Sequence, residues 1–197
     1  MEPLWAELIN SDWHDYLGRG RDEDRLEKAA WLTAFLARWD LPELDVKDDK
    51  TRRRLRELRT LLRRLALKLH GRRPLHGRDV EEFNAFLNRE SVVRKLQRGE
   101  GAYTLCYVPV KGALDAVLSE IAASFAHMLI DGDPGRIKIC ENPDCRWIIY
   151  DRSKNRTRRW CEGPTGCGNL IKVRRHRDRQ RKDASRGETK RPRPNLA

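Results

Sequence analysis

Apolar positions recur along this chain at two spacings, and the switches between them outline its elements. Leu4, Leu8 and Ile9 predict a short first helix or an apolar anchor. Leu26, Ala30, Trp31, Ala34, Phe35 and Leu36 then recur at helical spacing, predicting a helix capped by Asp24 that runs to about Trp39, where Asp40-Leu-Pro stops it. Asp48 and Asp49 open a longer helix ending at Gly71. Its Leu55, Leu58, Leu62, Leu65 and Leu69 alternate steps of three and four in one stripe. With fewer than four clean heptads, the stripe reads as core in preference to a dimer seam. Asp79 caps a helix through Asn88, with Val80, Phe83, Phe86 and Leu87 facing inward. The period next falls to two, predicting strands at Val92–Gln97 and Tyr103–Val108 joined by Arg98-Gly-Glu-Gly. Lys111 to Ile130 restores the helical period, with Leu114, Val117, Leu118, Ile121, Phe125, Met128 and Leu129 on a broad buried face, and Asp131-Gly-Asp-Pro-Gly ends it.

Beyond that break the pattern is sparser. Ile137–Ile139 leads into a turn-rich stretch, and Arg146–Tyr150 can be a strand leaving it, with Trp147 and Ile149 on one face and Ile148 and Tyr150 on the other. A helix starts at Gly168 or Asn169 and runs to about Lys182, anchored by Leu170 and Val173. The expected fold is mainly α with one β-hairpin (α+β): a helical N-terminal domain over residues 1–130, a small treble-clef-like module over 136–184, and a disordered basic tail over 185–197, which lacks apolar anchors.

Charge changes this picture at one place. The net charge is +12 over 197 residues, yet residues 1–135 carry 23 basic and 23 acidic side chains, and residues 136–197 carry 19 and 7. The arginines of the long helix (Arg52, Arg53, Arg54, Arg56, Arg59, Arg63 and Arg64) therefore read as a solvated face paired with acids. The excess in the C-terminal part calls for a polyanionic partner. No apolar run approaches the ~20 residues of a membrane span, and the start of the chain lacks the pattern of a secretory signal. The protein is expected in the cytoplasm, associated with the nucleoid.

Four of the five cysteines lie in the basic part, in two close pairs: Cys140 and Cys145, with four residues between them, and Cys161 and Cys167, with five. Pro143 and Asp144 suit a turn in the first pair; Gly163, Pro164 and Gly166 suit one in the second. Two disulfides would fit the count, but a basic segment expected in a reducing compartment favours four thiolates around Zn2+. His176, nine residues past Cys167 within a run of arginines, is a replacement ligand in principle and a phosphate-facing side chain by preference. No position is open for water, so the metal reads as a staple of the fold. Cys106, the odd one, reads as a small buried hydrophobe.

The same stretch resembles the CGNR-type zinc finger through Asn142, Pro143, Asp144, Cys145, Trp160, Cys161, Cys167, Gly168, Asn169, Lys172, Arg174, Arg175 and His176. Leu170 stands where that family has its namesake arginine, and the second cysteine loop is one residue longer. Asn10-Ser-Asp-Trp matches loosely the start of the ABATE domain that accompanies this finger. The resemblance implies a bacterial, stress-linked transcription regulator with a DNA-binding finger.

From Lys172 to Lys182 there are seven Lys/Arg, one His and one acid. A helix of this size fits the DNA major groove, where arginines grip phosphates or read guanine edges. The candidate nucleic-acid contacts are Arg156, Arg158, Arg159, Lys172, Arg174, Arg175, His176, Arg177, Arg179 and Arg181, and the expected partner is duplex DNA. RNA is an alternative, because Trp147, Tyr150 and Trp160 interleave with arginines and could stack on bases. A protein-interaction adaptor folded by zinc is another. The N-terminal domain would sense an unspecified small ligand or form a homodimer. Trp13, His14 and Tyr16 could line a pocket there, though capping the core is the simpler reading. Residues 1–135 hold no Ser-His-Asp spacing, no glycine-rich phosphate loop and no helical His-Glu pair, so no enzyme is expected.

Overall fold

The computed structural model describes residues 2–89, 91–99, 101–110, 112–161 and 166–188. Helix α1 (Leu4–Ile9) is only six residues long, yet Leu4, Trp5, Ala6, Leu8 and Ile9 are all buried. Trp5 meets Phe125 edge-on at 5.2 Å between ring centroids and Tyr150 at 6.2 Å. This first turn and a half is thus the hub of the core and not a peripheral anchor.

The predicted helix from Asp24 to Trp39 is two elements. Strand β1 (Asp12–Trp13) pairs antiparallel with β2 (Glu23–Asp24), and the Arg25 amide donates to the Ser11 carbonyl at 2.8 Å. Pairing holds Asp24 extended, so its carboxylate caps only a 3-10 turn at Arg25–Glu27, and α2 runs over Ala29–Arg38.

Helix α3 (Asp49–His70) is capped by Asp48, which accepts from Lys50 and Thr51. Leu55, Leu58, Leu62 and Leu65 are fully buried, so this part of the stripe is core, as the heptad count implied; Leu69 is partly buried. Its arginines meet acids: Arg59 and Arg56 both reach Asp24, Arg52 reaches Asp49 and Glu27, and Arg64 reaches Glu82.

Helix α4 (Gly77–Leu87) starts two residues before Asp79, with His76 at the N-cap. That carboxylate therefore caps from inside the first turn, accepting from the amide of the N-cap residue His76 and from Lys68. Phe83 is buried as expected, while Val80 is 44% exposed because α4 turns only one side to α3 and α5. Strands β3 (Val92–Arg98) and β4 (Tyr103–Pro109) form the predicted hairpin, with Leu96 opposite Leu105. It extends away from the core, leaving Leu96, Tyr103 and Leu105 more than half exposed. Cys106 is accordingly half-buried, with its thiol donating to Gln97 at 3.1 Å, and is not the core residue expected.

Helix α5 (Ala113–Ile130) has the length and apolar composition to cross a membrane, contrary to expectation. Its buried face instead packs on α1, α3 and α4 through Val117, Leu118, Ile121, Phe125 and Met128. Lys111, the expected first residue of this helix, lies outside the described residues.

The core does not stop at the proline-glycine break. Strands β5 (Ile137–Ile139) and β6 (Ile148–Tyr150) pair antiparallel, and Ile137 and Ile148 are buried among the helices, with Ile139 and Tyr150 packed against them. Asn10, 2% exposed, clamps the free edge of β6: its Nδ2 donates to the Ile148 carbonyl at 2.9 Å, and its Oδ1 accepts from the Ile148 amide at 2.8 Å. The last helix, α6, spans Cys167–Glu188. Residues 185–188, expected to begin a disordered tail, continue this helix, and residues 189–197 lie outside the described residues.

Two outcomes follow. Asn10→Ala leaves both backbone groups of the fully buried Ile148 unpaired and should lower the unfolding free energy by about 2–4 kcal/mol in urea titration, with an unchanged m-value. Burial alone would raise the Asp24 pKa, but hydrogen bonds from Arg59 and Arg56 outweigh it and hold it at about 2. A depressed carboxylate stabilises the fold above its unfolded pKa of about 3.9 and loses that contribution as pH falls towards 2. Asp24→Asn should therefore cost about 2 kcal/mol at neutral pH and flatten the acid side of the stability profile between pH 4 and 2.

Candidate metal centre and basic helix

Four segments deliver the cysteines. Strand β5 leads to Cys140, whose amide donates to the Trp147 carbonyl at 2.9 Å. The turn through Pro143 and Asp144 is closed by the Cys145 amide on the Asn142 carbonyl at 3.0 Å, and Arg146 leaves it in the left-handed region, φ 54°. The Glu141 amide donates to the Arg159 carbonyl at 2.9 Å and so aligns the segment carrying Cys161 beside the first pair. Cys167 opens α6 after Gly166, φ 56°. Gly163 and Pro164, expected to turn the second pair, lie outside the described residues.

All four sulfurs lie within 4.8 Å of one another. Cys145 and Cys161 are 3.6 Å apart, and Cys161 and Cys167 3.5 Å. Disulfide sulfurs stand at about 2.05 Å, and a tetrahedral zinc with bonds of about 2.3 Å sets its sulfurs about 3.8 Å apart. The donor set therefore fits Zn2+, which Cys140, Cys145, Cys161 and Cys167 would hold in a closed site. Proton competition agrees. Hydrogen bonds from the Cys145 and Cys161 thiols, with help from the Asn142 and Cys161 amides, hold Cys140 down at about 2. Donating to that thiolate pushes Cys161 up to about 12 and Cys145 further. Without a cation, then, the set stabilises one thiolate at the expense of its neighbours; a dication lets all four ionise.

Asn142, fully buried, shapes the surroundings. Its Nδ2 lies 3.4 Å from the Cys167 sulfur and 2.9 Å from the Tyr16 carbonyl, so one amide orients a ligand and ties the knuckle to the loop after β1. Tyr16, Trp147 and Trp160 pack around the cluster with Ile149. Gly168, in the first turn of α6, faces the Trp160 ring, where a methyl group would make ordinary contact at 3.4 Å. Arg25 places its guanidinium 5.9 Å from the centre of Trp13 and 5.8 Å from that of Trp147, joining the two parts of the chain again. Trp13 and Tyr16 meet edge-on, and His14 bonds Asp22 at 3.0 Å. Trp13 and Tyr16 thus serve this junction, and His14 closes the loop beside it.

The basic residues separate into two groups. Arg174 donates to Asp144 and to the Leu17 carbonyl, both at 2.9 Å, and so fastens α6 to the body. Gly18 makes room for this contact, since a Cβ there would lie 2.9 Å from the Asp144 carboxylate. Arg159 pairs with Glu141 and lies over Trp160, Arg156 pairs with Asp133 at 2.8 Å, and Arg158 bonds the Trp160 carbonyl at 3.2 Å. Lys172, Arg175, His176, Arg177, Arg179 and Arg181 are exposed along α6. His176 is thus outside the cysteine cluster. Val173, expected to anchor the helix, is 46% exposed, because Leu170, Ile171 and Arg174 make the inward face. The clamp by Asn10 and the inward turn of Arg174 were missed from sequence. Asn10 meets a partner 138 positions away, and in Arg174 nothing distinguishes a structural arginine from its neighbours.

Among known families, residues 2–132 match the ABATE model, described as "Putative stress-induced transcription regulator", and residues 136–180 match the CGNR zinc finger model. No curated protein matches the chain.

Cys145→Ser should abolish stoichiometric zinc, measured by elemental analysis after dialysis. Asn142→Ala keeps four thiols but loses the orienting amide, and should weaken zinc in chelator competition by about 10- to 100-fold. An unchanged zinc affinity would leave Asn142 as a packing residue only.

Proposed function

This chain belongs to the ABATE family and carries a CGNR zinc finger at its C-terminal end, and on that basis we propose that it is a zinc-dependent transcription regulator whose finger contacts duplex DNA. The observation that carries the reading is α6. A metal knuckle pins its first residue, Arg174 fixes its direction, and Lys172, Arg175, His176, Arg177, Arg179 and Arg181 project into solvent. A rigid, cationic helix with a fixed base suits phosphate contacts flanking a groove, with one or two arginines left to read base edges. Arg174 belongs to the support of that helix in this reading. Arg156, Arg158 and Arg159, already held by protein acceptors, are secondary phosphate contacts. Duplex DNA is favoured over RNA because Trp147, Tyr150 and Trp160 are partly buried and engaged in packing, unlike rings presented for base stacking. The N-terminal helices would carry ligand sensing or dimerisation, and no catalytic step is assigned. Action on the nucleoid places the protein in the cytoplasm.

With five or six phosphates contacted, affinity for mixed duplex DNA should fall roughly a thousandfold between 50 and 200 mM salt. Arg175→Ala with Arg179→Ala should reduce the slope of log affinity against log salt by about two, with zinc content unchanged. A slope equal to that of the unaltered protein would remove α6 as the contact.

A further inference from the structure

A cleft of about 360 Å³ runs beside α3, on the N-terminal body, lined among others by Asp12, Arg59, Arg63, Arg64, Lys68 and Arg73. Its size is that of a small-molecule site. Three of the five cations are answered by carboxylates: Arg59 by Asp24 and Lys68 by Asp79, each at 2.6 Å, and Arg64 by Glu82. Arg63 differs. It is half-buried, and among the described residues no carboxylate lies within ion-pair distance of it. Its Nη2 donates to the carbonyl of Arg146 at 3.2 Å, which uses one of five guanidinium donors. Burial works against its charge, as do Arg146 and Arg59, and Asp12 alone favours it from a distance. Arg59 and Arg63, one helical turn apart, also repel. Met or Leu at position 63 would cover the same surface without these costs, so the guanidinium calls for an anion that the chain does not supply.

We propose that this cleft binds a small phosphate-bearing molecule. Arg63 is the principal partner of the anion, Arg73 and Lys68 add charge, and Asp12 accepts from a hydroxyl or amino group on the same molecule. The recessed position of Arg63 favours a small ligand over a duplex backbone, whose phosphates need protruding donors. Because Arg63 also holds the carbonyl that follows Cys145, a bound anion lies one hydrogen bond from the metal knuckle. The site does not depend on α6 contacting DNA.

Titration calorimetry of the full-length, zinc-loaded protein with inorganic pyrophosphate at constant ionic strength tests it. Saturable binding at one site is expected, weakened about tenfold or more by Arg63→Met, as loss of a charge-assisted pair implies. Arg73→Met, at an exposed position where folding is not at stake, should weaken it too. Arg175→Ala with Arg179→Ala should bind pyrophosphate like the unaltered protein, even if that variant loses DNA. Absence of saturable binding, or loss of binding in the α6 variant with full retention in Arg73→Met, would overturn the proposal. Should Arg63→Met fail to fold, Arg73→Met and the α6 variant still decide it.

Discussion

Four sulfur atoms within 4.8 Å of one another set the terms for the C-terminal third of this protein. Four negative charges cannot share that space, and four neutral thiols leave their mutual hydrogen bonds unbalanced, as the opposed shifts of Cys140 and Cys145 record. A dication resolves the conflict, and its binding free energy is folding free energy for a unit with little apolar core of its own. The position of Cys167 at the first turn of α6 would make such a metal the base of the helix.

A metal there would nevertheless not be the only fastening. The β5–β6 hairpin alternates its faces, so that Ile148 and Tyr150 enter the helical core while Ile149 and Trp147 enter the cysteine cluster. Three polar clamps reinforce this shared strand. Asn10 satisfies both backbone groups of Ile148, Asn142 ties the knuckle to the Tyr16 carbonyl, and Arg174 ties α6 to the Leu17 carbonyl. Residues 10–18, polar and aromatic, therefore form the seat on which the finger rests, and α6 leaves the body in a defined direction.

Charge is allocated by the same logic. Residues 1–135 carry equal numbers of basic and acidic side chains, and most arginines of α3 meet acids of neighbouring elements. In the C-terminal part the acids run out. Glu141, Asp133 and Asp144 neutralise Arg159, Arg156 and Arg174, and the outward face of α6 keeps its charge. Arg63 keeps no carboxylate partner among the described residues and is a half-buried cation facing a cleft.

Much of this was legible in the residues alone. Helical periodicity identified α3 and α5, alternation identified the β3–β4 hairpin, and the paired cysteines gave the metal set, because local spacing dictates which side chains share a face or a turn. What could not be read depended on partners distant in the chain. The helix expected from Asp24 yields to a strand pairing with Asp12; Cys106 is half-exposed because its hairpin leaves the core; Val173 faces solvent because Arg174 turns inward instead. Asn10 and Ile148 are 138 positions apart. Local propensity and spacing determine which elements form and which residues can ligate. Only the folded chain decides which arginine is fastened and which is left for a partner, because the carboxylate or carbonyl that claims it arrives from elsewhere in the sequence.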